Sequence, residues 1–182
     1  MSERREDEII KYWGSPPPVE IPVALVCRLR EAGLSTRRFL KLEGKAAFET
    51  DWPDKLYSPE EMQIMWKGNY GVAAGEGLVL IDGDEEPIVT HLQQIPATFK
   101  VRSPGHKTPH YYLKVVGGQL ENLVLSWGKD EKGQRKVIGH LQAHNKYLVG
   151  PGSIHPHGGV YEVVNDQPIA EVSWSWLHEL LN

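Results

Sequence analysis

The chain has 182 residues, 40% apolar and 24% charged, with a formal net charge of −4; this fits one globular domain, or one domain plus a short appendage, and excludes a disordered chain or a general polyanion grip. A single cysteine, Cys27, excludes an internal disulfide framework and a cysteine-based zinc knuckle. No apolar run approaches the roughly 20 residues that span a bilayer, and the start Met-Ser-Glu-Arg-Arg-Glu-Asp-Glu lacks a signal peptide's apolar segment, so the expected compartment is the cytoplasm, with no membrane partner.

Residues 1–18 are charged and end in Gly14-Ser15-Pro16-Pro17-Pro18, a stiff break that sets them apart from a folded body over 19–182. Val23 to Ala32 has helical spacing with a glycine stop at Gly33, and Cys27 within it reads as a packed core thiol. Phe39-Leu40-Lys41-Leu42 follows as a short strand. Ser58 can cap a helix that takes Pro59 into its first turn and runs to about Trp66. Asn69 to Ala73 then leads through Gly75-Glu76-Gly77 into the apolar run Leu78-Val79-Leu80-Ile81. Glu86 to Gln94 is predicted helical, with a stop at Pro96. Beyond it, Phe99–Arg102, His110–Val116, Lys136–Leu141, Tyr147–Val149 and Val160–Val164 carry β-branched and aromatic residues in strand patterns, and Trp174–Leu181 closes the chain as an amphipathic helix. Helices and strands mixed without strict βαβ alternation predict an α+β domain.

The chemistry concentrates where the apolar run ends on Asp82-Gly83-Asp84. Side chains two apart on a strand point to one side, so the two carboxylates project together and repel unless a cation or proton lies between them. A hard divalent metal suits such a pair, although an Asp-Gly turn closing a strand would read the same way. Histidines recur in the loops that follow: His110 after Thr108-Pro109, His140 and His144 around Leu141, and His155 and His157 in a Gly-Pro-rich segment. Imidazole ligates metals when neutral and pairs with anions when protonated. Basic residues gather in two places, Arg28, Arg30, Arg37, Arg38 and Lys41 in one, Arg102, His106, Lys107 and His110 in the other. Each is either a local polyanion contact or a solvated face. The sequence has no Gly-x-x-x-x-Gly-Lys-Ser/Thr loop, no His-Glu-x-x-His and no Gly-x-Ser-x-Gly. Metal-assisted phosphoryl or nucleotidyl transfer fits the set best.

In order along the chain, Gly44-Lys45 with Trp52, Asn69-Tyr70-Gly71-Val72-Ala73-Ala74-Gly75 with Leu78 to Asp84, Thr108-Pro109-His110, and Tyr147 to Pro156 with Gly158-Gly159 and Tyr161 resemble the motifs of the primase-polymerase (prim-pol) domain of the archaeo-eukaryotic primase superfamily, found in plasmid, viral and mobile-element replication proteins. The likeness covers about Val23 to Val164. It implies a mixed sheet flanked by helices and a DNA primase/polymerase that joins a nucleoside triphosphate to a 3′ hydroxyl on a DNA template.

By the same resemblance, Asp82 and Asp84 are metal ligands and catalytic residues, and the third acidic ligand falls on His140. Thr108 stands where the family has serine. His110, Thr108, Lys107, Ser153, His155 and Lys45 are implied as nucleotide-binding residues. An Asp-Asp-His set carries one negative charge fewer than three carboxylates and offers a softer donor, so Mn²⁺ is expected to gain on Mg²⁺. The implied partners are nucleoside triphosphates, a DNA template and primer, and a helicase domain or replication protein. The alternatives are a catalytically inactive nucleotide- or DNA-binding module of the same fold, or a small histidine-rich metallohydrolase.

Overall fold

The computed structural model describes residues 19–106 and 108–182; the appendage expected over residues 1–18 lies outside them. Helix α1 (Val23–Ala32) buries Val26, Leu29 and Ala32 and ends at Gly33, whose N–H bonds back to the Arg30 carbonyl. Cys27 sits between those inward positions, about 100° round the helix from Val26, and is exposed rather than packed in the core. Strands β1 (Phe39–Glu43) and β2 (Ala46–Ala47) form a hairpin. Helix α2 (Pro59–Met65) begins with a full capping box, the Ser58 hydroxyl accepting from Glu61 N–H and the Glu61 carboxylate accepting from Ser58 N–H. Strands β3 (Tyr70–Ala73) and β4 (Leu78–Gly83) follow through the predicted glycine turn.

Helix α3 spans Ile88–Leu92 and is shorter than the expected Glu86–Gln94. Strands β5 (Lys100–Arg102) and β6 (His110–Val116) match expectation closely. Strand β7 (Leu123–Lys129) pairs with β8 (Arg135–Gln142), and β9 (Tyr147–Val149), β10 (Glu162–Val163) and β11 (Ala170–Ser173) lead into α4 (Trp174–Leu181). The sequence does not announce β7 or β11. The first is an outer strand whose Val124 and Trp127 remain exposed, and the second is only a parallel addition alongside β6.

Among the described residues the strands form two sheets: a four-stranded one in the order β2-β1-β3-β9, and a seven-stranded one in the order β10-β5-β6-β4-β8-β7 with β11 beside β6. The architecture is α+β, as expected. Strand β4 lies inside the larger sheet and is covered on both faces, which explains its unbroken apolar run. Leu78 and Leu80 enter the core shared with α1 and the smaller sheet, whereas Val79 and Ile81 enter the core beneath α3 and α4. Leu80 and Ile81 have no exposed surface, and burying each side chain is worth about 1.5–3 kcal/mol. No helix among the described residues is long and apolar enough to cross a membrane.

Candidate active site

Alternation along β4 puts Asp82 on the same face as Leu78 and Leu80, where the buried run gives way to a partly exposed side chain. The strand register then aligns three of the side chains that sequence singles out. Asp82 is the direct antiparallel partner of His140 on β8, and opposed residues share a face. On the other side of β4, Ile81 pairs with Tyr111, which brings His110 next to Asp82, with Nε2 3.7 Å from Oδ1. Asp84 follows one step beyond β4, held by its N–H to the Ile138 carbonyl at 2.9 Å, and its Oδ1 lies 3.7 Å from His106 Nδ1.

Two glycines make this approach possible. A Cβ on Gly83 would meet Leu92 Cδ1 at 2.5 Å, so α3 packs directly on the backbone between the two aspartates. A Cβ on Gly139 would meet the Asp82 carbonyl oxygen at 2.5 Å. Glycine there lets β8 close onto β4 beside Asp82.

The electrostatics match two acids forced together. Burial, and then the neighbouring Asp82 carboxylate, push the Asp84 carboxyl up from its ordinary value, while His106 and His140 pull it partly back. His110 is only 6% exposed. Burial holds its imidazole below the ordinary histidine value even though Asp82 favours the charged form. Its Nδ1 has no hydrogen-bond partner among the described residues.

The opposite wall comes from the smaller sheet and its loops. Lys45 sits at the β1–β2 turn, exposed, and its charge disfavours protonation of both His110 and His155. His155 stacks on Tyr161 at 5.9 Å between ring centroids, and the same buried tyrosine lies 6.3 Å from the His110 ring. Thr108 is buried two residues ahead of His110. Lys107 lies outside the described residues.

Ser153 departs from the nucleotide-contact role expected of it. It has no exposed surface, and its hydroxyl accepts from Tyr70 N–H at 3.2 Å and donates to the Tyr70 carbonyl at 3.3 Å. It fastens the His155 loop to β3 instead of facing the opening. The side chains of the first basic cluster are likewise engaged with partners within the chain. Arg28 pairs with Asp166, Arg30 with Glu60, Arg37 with Glu61, Arg38 with the Gly75 carbonyl, and Lys41 with Glu49 and the Tyr57 ring.

Two residues of the site are not singled out by sequence. Asn69, 8% exposed, donates from Nδ2 to the carbonyls of Gly44 (2.8 Å) and Ile154 (2.7 Å) and accepts from Ile154 N–H (2.8 Å). One side chain thus ties the Lys45 turn to the His155 loop. Its signal is a polar amide directly before a fully buried strand. His106, the second, stands out only as part of a basic cluster, and its proximity to Asp84 depends on how the 103–110 loop folds back.

Among the described residues no group of three or more His, Cys, Asp or Glu side chains is gathered as a ready metal cage. The donors nevertheless suit a hard divalent cation of the kind held by one or two carboxylates and completed by waters and substrate phosphates, since Asp82 and Asp84 are crowded acids whose ion-pair partners among the described residues are histidines.

A comparison with curated proteins returned no match. A family model does match, over residues 16–174, which takes in both sheets, the aspartate pair and every histidine described above. The chain therefore belongs to the Prim-Pol family, the N-terminal domain of bifunctional DNA primase/polymerases.

Proposed function

We propose that this domain catalyses template-directed nucleotidyl transfer, adding a nucleoside triphosphate to a 3′ hydroxyl, with Asp82, Asp84 and His140 holding a divalent metal. The observation that carries the reading is the register of Asp82 against His140, with His110 at its other flank and Asp84 next along the chain. Membership in a family of DNA primases and polymerases that generally use divalent metals supports it.

In this reading Lys45 and His155 receive the triphosphate from the loop side, opposite the acids, and Lys107 adds a further cation to the nucleotide-binding set. Burial disfavours protonation of His110, which presents a fixed imidazole to the phosphate nearest Asp82, with Thr108 positioning the start of its strand. Asn69 and Ser153 keep the two loops at a set distance from the sheet. When bound, a divalent cation neutralises charge on the attacking oxygen and on the pyrophosphate leaving group. His140 in place of a third carboxylate lowers the site's negative charge and favours Mn²⁺ over Mg²⁺.

The test is incorporation of labelled deoxynucleotide on a primed template with each metal in turn. Activity in wild type that disappears in Asp82→Ala supports the assignment. Titrating Mg²⁺ and Mn²⁺ against wild type and His140→Asp tests the donor argument, and equal Mg²⁺ affinity in both would count against it. The absence of a ready three-residue cage among the described residues favours one other reading, a module that binds nucleotide or DNA without turnover. It would bind in the same assays and incorporate nothing with any metal.

A further inference from the structure

Strand β7 is the outermost strand of the larger sheet, one step beyond the strand of His140: Val124 pairs with His140 and His140 with Asp82. Its exposed edge carries large side chains that a folded chain normally hides, Trp127 at 60% and Val124 at 63% exposure. The β7–β8 hairpin is also the place where this acidic chain becomes locally basic. Between Lys129 and Lys136 stand four cations and two carboxylates.

Those charges are unevenly engaged. Lys136 pairs with Glu85, and the Asp130 carboxylate accepts from the backbone N–H groups of Lys132 and Gln134 at 2.9 and 2.8 Å, which shapes the turn. Lys129, Lys132 and Arg135 are exposed and form no ion pair among the described residues. The first basic cluster of the chain behaves oppositely, each of its members meeting an internal partner. Arg135 and Trp127 line one cleft, and Lys129 lies opposite Arg135 in the strand register.

An exposed indole among unneutralised cations is the pairing that single-stranded nucleic acid recognises, because every base has a face to stack and every nucleotide a phosphate. A protein partner would be served better by an apolar patch with fewer cations. We propose that the β7–β8 hairpin binds single-stranded nucleic acid, with Trp127 stacking a base and Lys129, Lys132 and Arg135 holding flanking phosphates. The cleft that Trp127 and Arg135 line also takes in Ile88, Ile138 and His178, so it lies on the helix-covered face of the sheet, opposite the face that carries Asp82, and the hairpin is a binding surface that does not rest on the nucleotidyl-transfer reading.

The experiment is fluorescence anisotropy of a labelled single-stranded oligodeoxynucleotide, without nucleotide or metal, in the Asp82→Asn background. Trp127→Ala is expected to weaken binding about tenfold, while Trp127→Phe keeps most of it. Lys129→Glu with Arg135→Glu should lower the slope of log affinity against log salt by about 0.7 for each phosphate no longer neutralised. Unchanged affinity and salt slope in these variants would overturn the proposal. So would loss of self-association in Trp127→Ala with oligonucleotide binding intact, which would make the edge a protein contact. The two readings fail separately. Binding that disappears in Trp127→Ala alongside an inert wild-type enzyme keeps the hairpin and removes the polymerase, whereas normal incorporation with unchanged binding in Trp127→Ala does the reverse.

Discussion

Replacing Asp84 by asparagine should stabilise the metal-free protein while abolishing its activity. Alternate residues on a strand lie about 6.6 Å apart, where two unit charges repel by about 2.5 kcal/mol at an effective dielectric of 20 and about 0.6 kcal/mol in bulk water. The Asp84 side chain is 41% exposed and that of Asp82 29%, so solvent screening leaves about 1 kcal/mol. The sign follows from proton binding. Asp84 is held above its ordinary value in the fold, so its ionised form destabilises the folded state at neutral pH, and the effect fades as pH falls through the ordinary carboxylate range, where both states are protonated. Thermal unfolding in chelator at pH 8 should therefore show Asp84→Asn melting about 2–4 °C higher than wild type. Adding Mn²⁺ should reverse the order. Wild type gains about 2.7 kcal/mol at a hundred times its dissociation constant, and the variant gains little. A variant that melts at or below wild type without metal would refute the claim that these two acids strain the fold.

Three further substitutions probe how the site is built. Gly139→Ala drives a Cβ to 2.5 Å from the Asp82 carbonyl oxygen, backbone that cannot step aside, so a loss of about 1–3 kcal/mol in urea unfolding should accompany at least a tenfold fall in nucleotide incorporation. Asn69→Ala leaves two carbonyls and one N–H without their partner; about 2–4 kcal/mol of stability should go, and KM for the nucleotide should rise more than kcat falls. His110 resists protonation in the fold, so the unfolded chain binds more protons below about pH 6.5 and stability should decline from pH 7.5 to 5.5. The decline should be shallower in His110→Gln when denaturation midpoints are compared at the two pH values.

The elements that sequence makes legible are those whose pattern is local. The Ser58 cap, the Gly33 stop and the buried apolar run before Asp82 each declare themselves within a few residues, and the structure has them there. Strand β7 escapes because an edge strand with exposed Val124 and Trp127 lacks a buried face to impose alternation. Cys27 is misjudged because an apolar-looking residue on a helix is inside or outside by a single 100° step. Ser153 shows a different limit: its sequence context announces a loop beside the site, but only the fold turns its hydroxyl onto Tyr70 and away from the opening. The pairing of Asp82 with His140 joins residues far apart in the chain, and it becomes legible only once family likeness supplies a register.

The two walls of the site are built differently, and this separates their tasks. Asp82, His110 and His140 stand on three adjacent hydrogen-bonded strands, β4, β6 and β8, with cores packed against both faces of the sheet. Their mutual positions can change only by breaking sheet bonds. Lys45 and His155 stand on loops of the other sheet and are linked to each other through Asn69, and the His155 loop is pinned to β3 through Ser153. A small shift of that loop layer alters the side proposed to receive the phosphates and leaves the acid pair untouched. Damage to the sheet wall should therefore appear in the chemical step, and damage to the loop wall in nucleotide affinity. The opposed kinetic signatures expected of Gly139→Ala and Asn69→Ala follow from that division, although neither residue has to touch the nucleotide.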